Sequence, residues 1–408
     1  MSREGGTTHM VMTRRAWLRA VAGLALMPVS ALLASCGGQQ TTPTPTTPVS
    51  AATASMTTRV AAVTPSSTTT PANVATPSSR ATPASTAKPA GQQASTIKAR
   101  IALTASDAAL LIAIDKGMFR DVGISVDLVT ATLDPGQAIS LLGAQQLDIV
   151  GGGLSGALVN GVKQGVPLKI TVTETVITAN FGDYHVIGVP KSLSDSGQIR
   201  SVEDLRGKTV ALVTSGGGDV LEMKKVLEQH HLTLKDVQVQ TLRAPDVPAA
   251  LQNAAVAAGF LIEPYVTIAL KQLKAATALV PGQDIAQASG IGLPLNVLTF
   301  GPRLLNDRPL AVAFLVAYLR GVAWYFERVG NDAGKQEIAA VLKQYTPLKD
   351  DQLYAQMTWP PIARDGRFAT SFLDEYQALW RDLGQIQAMI PASDLVDFSY
   401  LDEAARQV

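Results

Sequence analysis

"LDIVGGGLSGALVNGVKQGVPLKITVTETVI" occupies Leu147–Ile177. Leu147–Val150 reads as a short apolar strand that Gly151-Gly152-Gly153 ends, and Leu154–Lys163 as a helix. Leu168–Ile177 then reads as another strand. Strand, helix and strand at this spacing imply a parallel sheet wound with right-handed crossovers. The same alternation extends upstream. Ile97, Ala99, Ile101 and Leu103 alternate with Lys98, Arg100 and Ala102 as a strand, and Ser106-Asp107 can cap a helix over Ala108–Phe119. Ile124–Val129 is the next strand, and Asp134-Pro135 starts a helix that runs through Leu142.

A second unit of this kind follows. Thr209–Val213 is a strand, Ser215-Gly216-Gly217-Gly218 a turn, and Asp219 to about His230 a helix. Val237–Leu242, a helix over Val247–Val256, and a short strand Gly259–Ile262 lead into Glu263-Pro264-Tyr265. From Pro309 onward the chain reads as mainly helical, with Leu310–Phe326 the longest element.

The N-terminal region has another character. Thr13–Arg19 reads T-R-R-A-W-L-R, and an apolar run over Ala20–Leu33 contains one Pro28. A basic start before a short apolar core describes an export signal, and the run is shorter than the ~20 residues a spanning helix needs. Arg14-Arg15 resembles a twin-arginine signal, and Leu33-Ala34-Ser35-Cys36 resembles a bacterial lipobox. Cys36, the only cysteine in 408 residues, is therefore expected to carry a lipid at the end of a signal spanning residues 1–36. A disulfide framework is excluded by the same count. Residues 37–96 are rich in Thr, Ser and Pro, with no aromatic residue up to Ser95, and are expected to form a disordered tether.

The globular part, roughly 310 residues from Ile97, exceeds the size at which single cores stop growing, so two lobes are expected. Net charge is +1 and no basic stripe is present, which argues against nucleic acid as a partner. No apolar run beyond Ile97 is expected to span a membrane. The adjacent His230 and His231 make a poor metal site, and neither a metal nor a cofactor is expected.

"IDKGMFRDVGISVDLV", "LDIVGGG", "GVPLKI", "VEDLRGKTVAL" and "IEPY" occur in an order that resembles the solute-binding proteins of ABC importers. The group resembled binds aliphatic sulfonates, taurine, nitrate or the pyrimidine precursor of thiamine. The chain departs from it at Asn253–Ala258, where that group often has Gly-x-Val-Asp-Ala. The resemblance implies the α/β, type II periplasmic-binding-protein fold: two α/β lobes joined by two crossing segments, with a cleft between. The crossings would lie near His185–Pro190 and Leu295–Phe300. Lobe one would combine residues 97–185 with 296–408, and lobe two would be residues 186–295.

Ligand sites in open α/β sheets lie at the carboxyl ends of the strands. This selects Thr104, Ser106 and Asp107; Gly152, Gly153 and Ser155; Glu174 and Thr175; and Thr214, Ser215, Gly216 and Gly217. The Ser215–Gly218 amides either hold an anion at a helix start or form a simple turn. Asp107 and Asp219 either cap helices or meet the ligand. Glu263 and Tyr265, after a strand end, either contact the ligand or cap and pack, and the same choice stands for Tyr184 and His185. An oxyanion fits the glycine turn, yet Asp107, Glu174, Asp219 and Glu263 would repel a bare anion unless they cap helices.

The expected function is non-enzymatic: capture of a small polar solute outside the cytoplasmic membrane and its delivery to a permease and ATPase. The protein would be a monomer, lipid-anchored to the outer face of the bacterial membrane, in the periplasm or at the cell surface. The alternatives are a pyrimidine-synthase-type enzyme on the same fold or the sensing domain of a membrane receptor. Fungal pyrimidine synthases, which resemble this family, need an active-site histidine and a cysteine-rich segment, and porphobilinogen deaminases need a cofactor-bearing cysteine, whereas here the only cysteine, Cys36, lies in the signal.

Overall fold

The computed structural model describes residues 94–408. The export signal, Cys36 and nearly all of the expected tether lie outside the described residues. The first strand begins at Ser95, two residues before the expected start, because Ser95 and Thr96 pair with Ile124 and Ser125 of the next strand.

Two five-stranded sheets organise the described residues. In the first, β1 (Ser95–Arg100), β2 (Ile124–Leu128), β3 (Ile149–Gly153) and β4 (Lys169–Val176) follow in sequence and are separated by helices. In the second, β5 (His185–Pro190) precedes β6 (Thr209–Leu212), β7 (Gln238–Thr241), β8 (Ala258–Ile262) and β9 (Ala276–Val280). The chain then returns to the first sheet as β10 (Pro294–Phe300). The spatial orders are β2-β1-β3-β10-β4 and β7-β6-β8-β5-β9. These are one pattern drawn twice, with the strand next to last supplied by a crossing segment.

The sequence implied a parallel sheet, which holds for the pairs β1–β2, β1–β3, β6–β7 and β6–β8 and not at that inserted strand. β10 runs antiparallel to β3 and to β4, and β5 antiparallel to β8 and to β9. A crossing segment enters from the opposite lobe, so it runs against the strands that the helical crossovers laid down in parallel. Two crossings of this kind join two α/β lobes, which is the periplasmic-binding-protein architecture.

Gly151–Gly153 continue β3 instead of ending it: Gly151, Gly152 and Gly153 pair with Leu298, Val297 and Asn296 of β10. At Gly151 a Cβ would stand 2.8 Å from both Ile101 Cγ2 and Leu298 Cδ2, so the glycine serves close strand packing. Turn-like composition here marks a crowded strand.

The helix Arg308–Arg328 backs the first sheet, with Phe314, Leu315, Ala317 and Tyr318 fully buried. It packs so closely on the helix Ala108–Asp115 that a Cβ on Gly321 would meet Ala109 O at 2.2 Å. By length and composition this helix passes for a membrane span, which the sequence reading did not anticipate; its buried face belongs to the core.

Candidate functional site

The loops at the carboxyl ends of the strands in both sheets converge on one cleft of about 660 Å³. From the first sheet come Thr104 and Ser106 after β1, Gly152, Gly153 and Ser155 at β3, and Thr175 on β4. From the second come Thr214–Gly217 after β6, and Glu263 and Tyr265 after β8. Twelve of the fourteen ligand candidates taken from the sequence thus line one cavity; Asp107 and Glu174 do not.

Asp107 points back into its own loop. Its Oδ2 accepts the Thr104 amide at 2.7 Å and the Thr104 hydroxyl at 3.2 Å, while Oδ1 has no partner. Burial pushes the carboxyl up to about 6 against these hydrogen bonds and the nearby Arg100 charge. Glu174 on β4 is buried with neither oxygen partnered. Desolvation first, then Asp107, drive its carboxyl well above the usual range. The two acids influence each other and the Tyr318 hydroxyl, which is also buried and unpartnered.

The opposite rim repeats the device. Asp219 Oδ2 accepts the amides of Val213 and Thr214 at 2.8 and 3.0 Å, and Oδ1 takes the Thr214 hydroxyl. Thr214 Oγ1 in turn accepts the Gly217 amide at 2.7 Å. The helix Gly218–Gln229 therefore starts behind a knotted turn whose N-cap is Gly217. The carbonyls of that turn are occupied from the C-terminal part of the chain: Trp380 Nε1 donates to Gly216 O and Gln385 Nε2 to Ser215 O, both at 2.7 Å.

Glu263 is a cap as well. Its carboxylate accepts the Thr267 amide and hydroxyl at 3.1 and 2.9 Å and the Thr358 amide at 2.9 Å. Tyr265 stands beside it, half-buried, in the cleft wall. Of the four acids that the sequence set against an anionic ligand, Asp107, Asp219 and Glu263 thus accept backbone amides, and Glu174 accepts none.

Four cleft residues outside the main candidates complete the wall. Ser106 Oγ and Tyr184 Oη lie 2.7 Å apart, and Tyr184 stacks on His185 with ring centroids 5.0 Å apart. His185 Nδ1 is 2.8 Å from Glu222 Oε2. This chain of contacts leads from the β1 loop through the first crossing to the helix Gly218–Gln229. Glu222 is fully buried; burial raises its carboxyl and His185 opposes the rise. Arg100, at the end of β1, is the one Lys or Arg among the cleft-lining residues, and its guanidinium donates to Leu133 O at 3.3 Å. Sequence reading missed Arg100 and Glu222 because a polar residue on a strand or an i+4 glutamate on a helix looks like a solvated face.

Two sheets of matched order, crossing strands and a cleft lined from both sheets define, among the described residues, the two-lobed fold of the binding-protein class. More specifically, the chain belongs to the family described as NMT1/THI5 like, whose model matches residues 105–328. Solved structures agree on the fold. The periplasmic aliphatic sulphonate binding protein SsuA from Escherichia coli is 17% identical with a TM-score of 0.58, over 75% of this chain and 92% of that one. The periplasmic nitrate-binding protein NrtA from Synechocystis PCC 6803 is 13% identical with a TM-score of 0.58, over 78% and 89%. The desulfurization enzyme DSZB is 16% identical with a TM-score of 0.50, over 77% and 99%.

Proposed function

We propose that this chain is the extracytoplasmic solute-binding component of an ABC importer, taking a small polar solute of the sulfonate, taurine, nitrate or pyrimidine-precursor kind. One observation carries the reading: loops from two matched sheets meet around one cleft of about 660 Å³, a volume suited to a small organic molecule. Lobe one (residues 97–185 with 296–408) and lobe two (186–295) would close on the solute by rotation about β5 and β10. Thr104, Ser106 and Ser155 would contribute from one side and Thr214–Gly217 and Tyr265 from the other. DSZB is an enzyme on this fold; in the present chain the one cysteine, Cys36, is remote in sequence from every cleft residue, which favours binding over thiol chemistry.

A thermal-denaturation screen with alkanesulfonates, taurine, nitrate and aminopyrimidines tests this. One class should stabilise the chain by about 2.7 kcal/mol at a hundredfold excess over Kd. Silence across all four classes would reject the assignment.

A further inference from the structure

We infer that Glu222 is the specificity-determining residue of the cleft and accepts a hydrogen bond from an N–H group of the solute. This rests on the solute-binding reading and narrows it to molecules that carry an amine or amino group.

Glu222 lines the cleft and is 0% exposed, yet its Oε1 has no hydrogen-bond partner. The other oxygen, Oε2, is fixed at 2.8 Å from His185 Nδ1. His185 is itself immobilised, stacked on Tyr184 and set edge-on to Phe181 and Phe260 at centroid distances of 5.3 Å. The carboxylate is therefore held in place, with one oxygen partnered and the other unpartnered beside the cleft-lining Gly218, where a Cβ would stand 3.3 Å from Oε1. An acceptor shut away from water without a donor is costly, and the cost is recovered when a ligand supplies the donor. The remaining cleft acids do not compete for that donor, because Asp219 and Glu263 are saturated by amides and hydroxyls. A solute lacking N–H, such as nitrate or a plain alkanesulfonate, would leave Oε1 orphaned on closure. Discrimination against such analogues is strongest where a buried polar group would be left unpaired.

Two kinds of solute share this chemistry, an ammonium-bearing sulfonate and an amino-substituted heterocycle, and paired probes separate them. The experiment is calorimetric titration of the chain with taurine against ethanesulfonate, and with 4-aminopyrimidine against pyrimidine, repeated on Glu222→Gln. Expected for the unmodified chain is a preference of about tenfold or more for the amino member of one pair. Glu222→Gln is nearly isosteric, and with its amide oxygen kept on His185 it turns an NH2 toward the solute. It should erase that preference and weaken the amino probe by a similar factor. Equal affinity within the binding pair, or an unchanged preference in Glu222→Gln, overturns the role of Glu222 while leaving solute binding intact. If no probe binds the unmodified chain, the solute-binding reading and this inference fall together. Should Glu222→Gln fail to fold, the paired preference of the unmodified chain still decides, and Glu222→Asp, which retracts the carboxylate by one methylene, replaces it.

Discussion

The loops Thr104–Asp107 and Thr214–Asp219 face the same cleft from opposite sheets, and both close by an aspartate that accepts the amide of a threonine beyond the strand end. They differ in what surrounds that aspartate. Asp219 is saturated: it accepts two amides and a hydroxyl, and its threonine passes the restraint on to Gly217. Asp107 leaves one oxygen unpartnered and shares its burial with Glu174. The same motif yields a rigid rim in one lobe and a rim with a titratable, underbonded acid in the other. Partnering decides whether a buried carboxylate is structural or electrostatically responsive.

The largest effect should come from removing the saturated acid. Asp219→Ala strands two amides and a hydroxyl and should cost about 3 kcal/mol or more, read by chemical denaturation. Asp107→Ala should cost about half as much, because it also relieves a desolvated charge. Equal losses would mean that the two loops are not energetically distinct.

The second test uses pH. The folded-state value of Asp107, about 6, lies above its ordinary 3.8, so folding favours the protonated acid. Its contribution is fully present below pH ~4 and is lost as pH rises through 6, by up to about 3 kcal/mol. Asp107→Asn keeps an acceptor for the Thr104 amide and removes that loss. The variant should match the parent near pH 4 and exceed it near pH 8, as measured by denaturation across pH. A constant difference over that range would show that folding does not raise the Asp107 carboxyl above its ordinary value.

The smallest expected effect separates the two threonines. Thr214 Oγ1 holds the Gly217 amide, whereas the Thr104 hydroxyl only adds a 3.2 Å bond to Asp107. Thr214→Val should cost about 1 kcal/mol and Thr104→Val less than about 0.5. The reverse order would remove the asymmetry between the rims.

How much of this was legible in the sequence follows from the kind of signal each part leaves. Alternation at Ile97–Leu103 and the apolar β-branched run at Leu168–Ile177 mark strands because local pattern and burial coincide there. The crossing strands were placed by resemblance to a family; their antiparallel direction is a long-range property with no local trace. Gly151–Gly153 misled because packing between β1 and β10, which demands small residues, is invisible until the sheet order is known. In the cleft, turn residues such as Thr214–Gly217 announce themselves through composition. Glu222 does not, since "DVLEMKK" carries charges typical of an exposed helix face and only the packing of both lobes buries that glutamate. Arg100 hides for the complementary reason: it alternates correctly as a half-exposed strand residue, and only its position at the end of β1 brings it to the cavity.

Trp380 gives the molecule an optical readout. Among the described residues Trp324 and Trp359 are half-buried, whereas Trp380 is fully buried with its indole N–H bonded to Gly216 O on the lobe-two rim. An indole shielded from solvent and tied to one particular carbonyl emits according to that carbonyl's position and to the local field. Under the proposed solute-binding role, a solute that moves the Thr214–Gly217 turn should shift the emission of Trp380, so that the chain would report occupancy of its own cleft in a cuvette with no label attached.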